Sequence, residues 1–583
     1  MPGPNAQLAA IFQQMADISE ILGRDRFRTN AYARAARVIN DLTDDLSAIG
    51  DDLKALTAID GIGKGTAERI IEYLDAGKVA DHEELLSQVP AGLLDLLDIP
   101  GLGPKTVALL WKEAGVESKA DLQEKLSGDE LTKLPGMGKK KIENLRKSIA
   151  FTESAGERVR LGQAMRLASW FVDQLHMLKA VKQVDYAGSL RRGRETIGDI
   201  DLIVAAAEKD AGAISDHFIG LEAVEQVLVH GPTKSSVRVG GGGNGPAMQV
   251  DLRVVTPDQF GAALLYFTGS KEHNIRLRER AIKRDMRLNE YALSKDEKII
   301  ASETEQDIYK ALGLVWIPPE LREDRGEIAL AEKDKLPKLL TVKDIKAELH
   351  AHTTASDGRW SIRELAAAAA ERGFHTIAVT DHSKGQVQAH GLDEARLEKH
   401  VEAVRKVAAE MKDTIAVLAG TEVDILADGR LDYSNSVLKE LDIVVASPHA
   451  ALSQDAAKAT KRIRKAIDNP HVHIIGHLTG RLINRREGLH PDVKELFAAA
   501  AETGTAMEIN ANSYRLDLRD THARAALDAG VKLSINTDAH GPGDLDQLYY
   551  GILTARRAGV TPDDVVNCLP QPALKKWLKA KHG

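Results

Sequence analysis

Apolar positions along this chain repeat with three different rhythms. Through residue 150 they recur at helical spacing, interrupted by three copies of one signal: IDGIGKGTAERI at 59–70, IPGLGPKTVALL at 99–110 and LPGMGKKKIENL at 134–145. Each copy is a Gly-x-Gly turn between apolar residues, followed by a helix. From about 160 to 255 a helix gives way to the strands VDYAGSL, DIDLIVAAA, AVEQVLVHG and MQVDLRVV. Strand alternation in DIDLIV sends Ile200, Leu202 and Val204 to a core face and Asp199 and Asp201 to the other. GGGGNG at 240–245 precedes no helix, so it reads as a hairpin tip and not a phosphate loop. Residues 256–318 are mixed in pattern, and the proline-bearing, mixed-charge stretch 319–346 reads as a linker. Beyond it AELHAHTT, HTIAVTDHS, AVLAGTEVDI, IVVASPHA, HIIGHL, AMEIN and LSINTDAH alternate with amphipathic helices. That alternation predicts a parallel sheet of seven strands with crossover helices, of the kind that closes into a barrel.

Composition narrows the class. A chain of 583 residues is too long for one core and predicts three or four domains. An apolar share of 43% with 28% charged residues is that of an ordinary soluble protein. The single Cys568 excludes an internal disulfide and suits a reducing cytoplasm. No apolar run has membrane-spanning length, and the first apolar segment carries Asp17 and Glu20, unlike a signal peptide. A cytoplasmic, nucleoid-associated protein is the expectation. The net charge of −8 argues only weakly against a nucleic-acid partner, because binding surfaces are local and metal sites add acids. Histidine is unevenly spread: fourteen of nineteen lie at or beyond His350.

The chemistry follows from these placements. Asp199 and Asp201 on one strand face, with Asp251 in VDLRVV, can hold a pair of divalent ions for phosphoryl transfer. Just upstream, GSLRRG offers a Gly-Ser turn opening a helix, whose free N–H groups suit a phosphate. The three Gly-x-Gly copies, with Lys64, Lys105 or Lys139 beside the turn, resemble the helix-hairpin-helix motif, which grips DNA phosphates without reading bases. By that resemblance Gly61, Gly63, Gly101, Gly103, Lys105, Gly136, Gly138 and Lys139 face DNA.

GSLRRG, GDIDLIV, VDLRVV and YFTGSKEHN, in this order behind those hairpins, resemble a family X DNA polymerase over residues 1 to about 318. The resemblance implies a helical DNA-binding region at 1–85 and a helical fingers-like region at 86–155. An α+β nucleotidyltransferase palm at 156–255 and a thumb-like domain at 256–318 follow. It makes Asp199, Asp201 and Asp251 the metal-binding catalytic carboxylates, served by Mg²⁺ or Mn²⁺. Gly188, Ser189, Arg192 and Gly198 then serve the triphosphate, Tyr266, Phe267 and Gly269 the sugar, Asn274 the base edge and Arg278 the template. An arginine at 192 suits a triphosphate because its fork contacts phosphate oxygens bidentately. One departure stands out. The lysine that family members with 5′-deoxyribose phosphate lyase activity use as a Schiff-base nucleophile is replaced by Arg69, and a phosphate-contacting lysine by Gly65. A guanidinium is too basic for that role, so lyase activity is not expected.

His350, His352, Asp357, His382, Glu422, His449, His477, Asp538 and His540 fall at strand ends, where barrel active sites lie. The set resembles the PHP domain (polymerase and histidinol phosphatase) over 347–575, which implies a trinuclear site with all nine ligand positions filled. Mixed imidazole and carboxylate ligation suits Mn²⁺, Zn²⁺ or Fe²⁺. His375, His471, His473 and His490 match no ligand motif and read as ordinary residues. The expected protein is a monomeric repair polymerase for short gaps, acting on gapped or primer-template DNA with dNTPs. It would carry a metal-dependent 3′–5′ exonuclease, with AP-endonuclease or 3′-phosphatase activity as further options. A polymerase with a merely structural PHP barrel, a non-templated nucleotidyltransferase, and a DNA-end-binding scaffold are the alternatives.

Overall fold

The computed structural model describes residues 4–42, 46–59, 61–97, 99, 102–128, 130–138, 141–142, 145, 158–241 and 245–581. Two compact units result, residues 1–156 and 157–583.

The first unit is helical, as expected. Helices α1 (Pro4–Leu22), α2 (Arg26–Asp41), α3 (Leu53–Ala58), α4 (Lys64–Ala76) and α5 (Pro104–Ala114) are its main elements. One apolar cluster runs from Leu8 and Phe12 through Ile70 and Leu110 to Leu145. The expected division between 1–85 and 86–155 is therefore not a division of cores. Short helices each present too narrow an apolar face to form separate cores, so they share one.

In the second unit, α6 (Leu161–His176) and α7 (Gly188–Arg191) flank a five-stranded sheet. Its strands are β1 (Gln183–Tyr186), β2 (Asp199–Ala205), β3 (Val224–Val229), β4 (Lys234–Gly241) and β5 (Gly245–Val255), in spatial order β1-β2-β5-β4-β3. Sequence reading missed β4, because the serines and charges of KSSVRVG mask its alternation. β4 and β5 pair antiparallel out to Gly241 and Gly245, so GGGGNG does sit between hairpin strands, with 242–244 outside the described residues.

The thumb region contains α8 (Phe260–Thr268), α9 (Lys271–Ile282) and α10 (Glu305–Ala311). Residues 319–346 are not a free linker. They contain α11 (Glu327–Glu332), whose buried Glu327 lies 2.6 Å from Nδ1 of the equally buried His273. Arg322 is wholly buried and donates to Glu305 at 2.6 and 3.1 Å. Proline and mixed charge looked like a solvated spacer; here the charges are paired inside the fold.

The barrel comprises β6 (Ala347–Glu348), β7 (Thr376–Val379), β8 (Ala416–Asp424), β9 (Ile443–Ser447), β10 (Ile474–Ile475), β11 (Ala506–Asn510) and β12 (Leu533–Asn536). They pair in parallel in sequence order, as predicted. Ala351 bridges Ala539 in parallel, so the first and last strands nearly close the sheet. Two outer helices, α12 (Asp520–Asp528) and α13 (Leu548–Ala558), lie on the side that meets the palm. Ile483, Leu516 and Leu553 of the barrel are buried within the palm's apolar cluster.

Candidate active sites

The palm site is built on two adjacent parallel strands. Register pairs Asp201 of β2 with Asp251 of β5, while Asp199 sits two residues earlier on the same face. Ile200, Leu202 and Val204 are fully buried behind them. Burial, with the like charges of Asp199 and Asp251, pushes the Asp201 carboxyl up to about 7. Burial and Asp251 also raise Asp199, against the pull of Arg158. Burial and mutual repulsion thus both oppose ionisation of Asp199 and Asp201.

Gly188 fits this arrangement tightly. Its φ is +66°, and a Cβ there would lie 2.5 Å from Asp201 Oδ2. The Ala187 N–H donates to the Asp201 carbonyl at 2.8 Å, so the Gly-Ser turn is pinned to β2. Ser189 opens α7 beside it, and Gly198 precedes Asp199. Tyr266, Asn274 and Arg278 line one crevice, and Asn274 donates to the Tyr266 carbonyl at 2.7 Å. Gly269 at φ +70° gives Arg192 room to donate to the Thr268 carbonyl. Sequence reading missed Arg253, two residues after Asp251, whose guanidinium lies 4.3 Å from the Phe267 ring centre. It also missed Glu323, which takes the Arg192 Nε–H at 3.0 Å.

In the barrel all nine predicted residues converge. Three groups place one ligand atom per residue within 4.8 Å of each other: His352, Asp357, His382 and His540; His350, His352, Glu422 and Asp538; and His382, Glu422 and His449. His477 Nε2 lies 3.0 Å from Glu422 Oε1 and completes the set. His352, His382 and Glu422 are each shared between two groups, so the three groups form one continuous cluster. The donor set fits metal on a further ground. His350 Nε2, both ring nitrogens of His352 and His477, both Glu422 oxygens and Asp538 Oδ1 are buried without a hydrogen-bond partner among the described residues. Such orphaned atoms are costly unless a cation satisfies them. Burial and the imidazoles of His540 and His382 hold His352 down to about 4, whereas against burial Glu422 and Asp424 push His449, and Asp357 and Asp538 push His540, up to about 9.

A supporting ring orients these ligands. Glu508 lies 2.8 Å from His350 Nδ1, Asp424 pairs with His449 Nδ1, and Asp381 takes bonds from the Thr353 and Ser356 hydroxyls. Asp424 stands in GTEVD, yet only the fold shows that it faces the neighbouring candidate ligand His449. His473 and His375 do serve structure: each bonds backbone groups, Val444 and Leu578 for the former and Leu569 for the latter. His490 is exposed near Glu487.

In the helical unit the three Gly-x-Gly copies share one backbone hydrogen bond. Ile62, Leu102 and Met137 are buried, and each N–H donates three residues back, at 3.0 Å, to the carbonyls of Ile59, Ile99 and Leu134 respectively. Gly63, Gly103 and Gly138 then open the following helices, and Gly61 and Gly136 adopt positive φ. Lys105 stands in the first turn of α5, whereas Gly101 and Lys139 lie outside the described residues. Arg69 is tied to Asp81 and to the Gly65 carbonyl, beside a cleft of about 480 Å³ that also includes Arg28, Tyr32 and Arg34.

Comparison with known proteins places these geometries. A helix-hairpin-helix domain model matches residues 3–79 and a SAM-like helix-hairpin-helix tandem residues 93–150. The DNA polymerase beta thumb matches 263–323, and the PHP domain 348–512. The DNA polymerase/3′-5′ exonuclease PolX of Bacillus subtilis (strain 168) is 38% identical over 571 residues, 98% of each chain. A probable phosphatase of Thermoanaerobacter sp. (strain X514) is 33% identical over 247 residues, 40% of this chain and 94% of its own. DNA polymerase lambda of Rattus norvegicus is 26% identical over 327 residues, 51% of this chain and 53% of its own. With that full-length likeness on top of a carboxylate-bearing palm and a histidine-lined barrel, the chain belongs to the family X DNA polymerases that carry a C-terminal PHP domain.

Proposed function

We propose that this protein is a DNA-directed DNA polymerase for short-gap repair that also trims DNA with a metal-dependent 3′–5′ exonuclease. The observation that carries the reading is the pairing, in one compact unit, of the Asp199–Asp201–Asp251 face with the nine convergent barrel ligands. Gapped or primer-template DNA and dNTPs are the substrates, and the helical unit grips DNA phosphates through Gly61, Gly63, Gly103, Lys105, Gly136 and Gly138. The place of action is the cytoplasm, at the nucleoid.

In the palm, the three aspartates would hold Mg²⁺ or Mn²⁺, which supply charge neutralisation for the attacking and leaving oxygens. Gly188 and Ser189 present N–H groups to the triphosphate, and Arg192 adds the donors of its Nη2. Tyr266 and Phe267 wall the sugar, Asn274 stands at the base edge, and Arg278 meets the template. In the barrel, the nine ligands would hold up to three Mn²⁺, Zn²⁺ or Fe²⁺ ions, which activate water toward a phosphodiester. Glu508 and Asp424 hold the imidazoles of His350 and His449 in register. The likeness of this barrel to a probable phosphatase favours a 3′-phosphatase activity from the same site.

Primer extension and degradation on gapped DNA, in Mg²⁺ and in Mn²⁺, test the reading. Asp251→Ala should abolish nucleotide addition and spare cleavage; His352→Ala should do the reverse. If either single change removes both activities at unchanged stability, the two-site reading is wrong.

A further inference from the structure

We propose that Arg557, on the barrel's outer helix α13, is a positioning residue for nucleotide addition in the palm. The inference rests on the reading that Arg192 takes the incoming triphosphate. Arg557 Nη1 donates to Glu323 Oε1 and to the Arg192 carbonyl, both at 2.8 Å. The same Glu323 oxygen accepts the Arg192 Nε–H at 3.0 Å, and Arg192 Nη1 donates to the Thr268 carbonyl. Arg557 is fixed in turn by Asp520 at the start of α12, which accepts from its Nε and Nη2 at 3.1 and 2.9 Å.

The arrangement holds the Arg192 guanidinium by Nε and Nη1 and leaves Nη2 without a protein partner among the described residues. A long arginine side chain otherwise loses rotamer freedom when it binds phosphate, and fixing it beforehand removes that cost. The relay is buried: side-chain exposure is 3% for Arg557 and 10% for Glu323. The two elements are also in contact, since a Cβ on Gly193, in the nucleotide turn, would meet Leu553 of α13 at 3.2 Å. The barrel thus supports the palm's nucleotide site with a side chain that belongs to neither cluster of candidate ligands.

Steady-state single-nucleotide insertion by the full-length protein tests this, with exonuclease rate and melting temperature measured on the same variants. Arg557→Ala and Glu323→Gln should each raise the dNTP KM about tenfold, the factor that about 1.4 kcal/mol represents. Their kcat should hold, because an arginine that binds phosphate equally in ground and transition states contributes to KM alone. In an Arg192→Ala background, Arg557→Ala should add almost nothing, since its action passes through Arg192. Should Arg557→Ala fail to fold, the near-isosteric Glu323→Gln decides. A normal KM in Glu323→Gln and any folded Arg557 variant, while Arg192→Ala raises KM, overturns the relay. Full additivity of Arg557→Ala with Arg192→Ala overturns it too. A normal KM in Arg192→Ala instead overturns the assignment of Arg192 to the triphosphate.

Discussion

Replacing Gly188 with alanine should silence nucleotide addition and leave the barrel's cleavage activity intact. The added Cβ would sit 2.5 Å from Asp201 Oδ2, and ordinary contact begins at 3.4 Å, so the carboxylate oxygen must retreat by about 0.9 Å. Backbone strain adds to this, because φ at Gly188 is +66° and an alanine there costs roughly 1 kcal/mol. The atom displaced is the far end of a side chain, so the fold can absorb the change with a melting shift of roughly 2–4 °C. Catalysis cannot, since a misplacement of about 1 Å in a reacting constellation costs on the order of 10²-fold. Single-turnover nucleotide insertion at saturating dNTP, beside exonuclease rate and melting temperature, is the assay. An alanine variant that inserts nucleotides at the parent rate would refute the tight seating of this turn against Asp201.

Other expectations follow from the charges and donors described above. Burial opposes ionisation of Glu323, but Arg557 and Arg192 hold its carboxyl at about 2, below the ordinary 4.5. The contribution of that depressed group is fully present above the unfolded value and is lost as pH falls through the window from about 4.5 to about 2. The stability gap between the parent and Glu323→Gln, read from denaturant midpoints, should therefore narrow on acidification through that window; a constant gap would refute the ion pairing. Stripping divalent metal with a chelator should lower the melting temperature of the 157–583 unit, and Mn²⁺ should restore it. Saturation at about 100 times the dissociation constant is worth about 2.7 kcal/mol. His352→Ala should remove most of this response, and a chelator-insensitive parent would argue that the orphaned imidazoles need no metal. Borohydride treatment of the protein on a 5′-deoxyribose phosphate end should trap little adduct, because Arg69 is a guanidinium paired with Asp81. Strong trapping would reveal another amine.

Much was legible in one dimension because the signals are local. A Gly-x-Gly turn fixes its own geometry through backbone conformation, so the three copies share one backbone hydrogen bond, and Gly61 and Gly136 one positive φ. Asp199 and Asp201 share a face because strands alternate, and the barrel ligands gather because parallel strands all end at one rim. Strand β4 escaped because serines and charges interrupt its apolar rhythm. Composition cannot say whether the charges of 319–346 are solvated or paired: Glu327 and His273 are 54 residues apart, yet buried together.

Tertiary structure alone decided which distant charges meet. Nothing local joins Arg557 to Glu323, 234 residues away, or Arg481 to Glu195, 286 residues away. The chain by itself determined the two chemistries, since each depends on residue types at strand and turn spacing. Packing of the barrel against the palm decided which charges of the two regions pair, because burial makes each charge demand a partner wherever the fold brings one within reach.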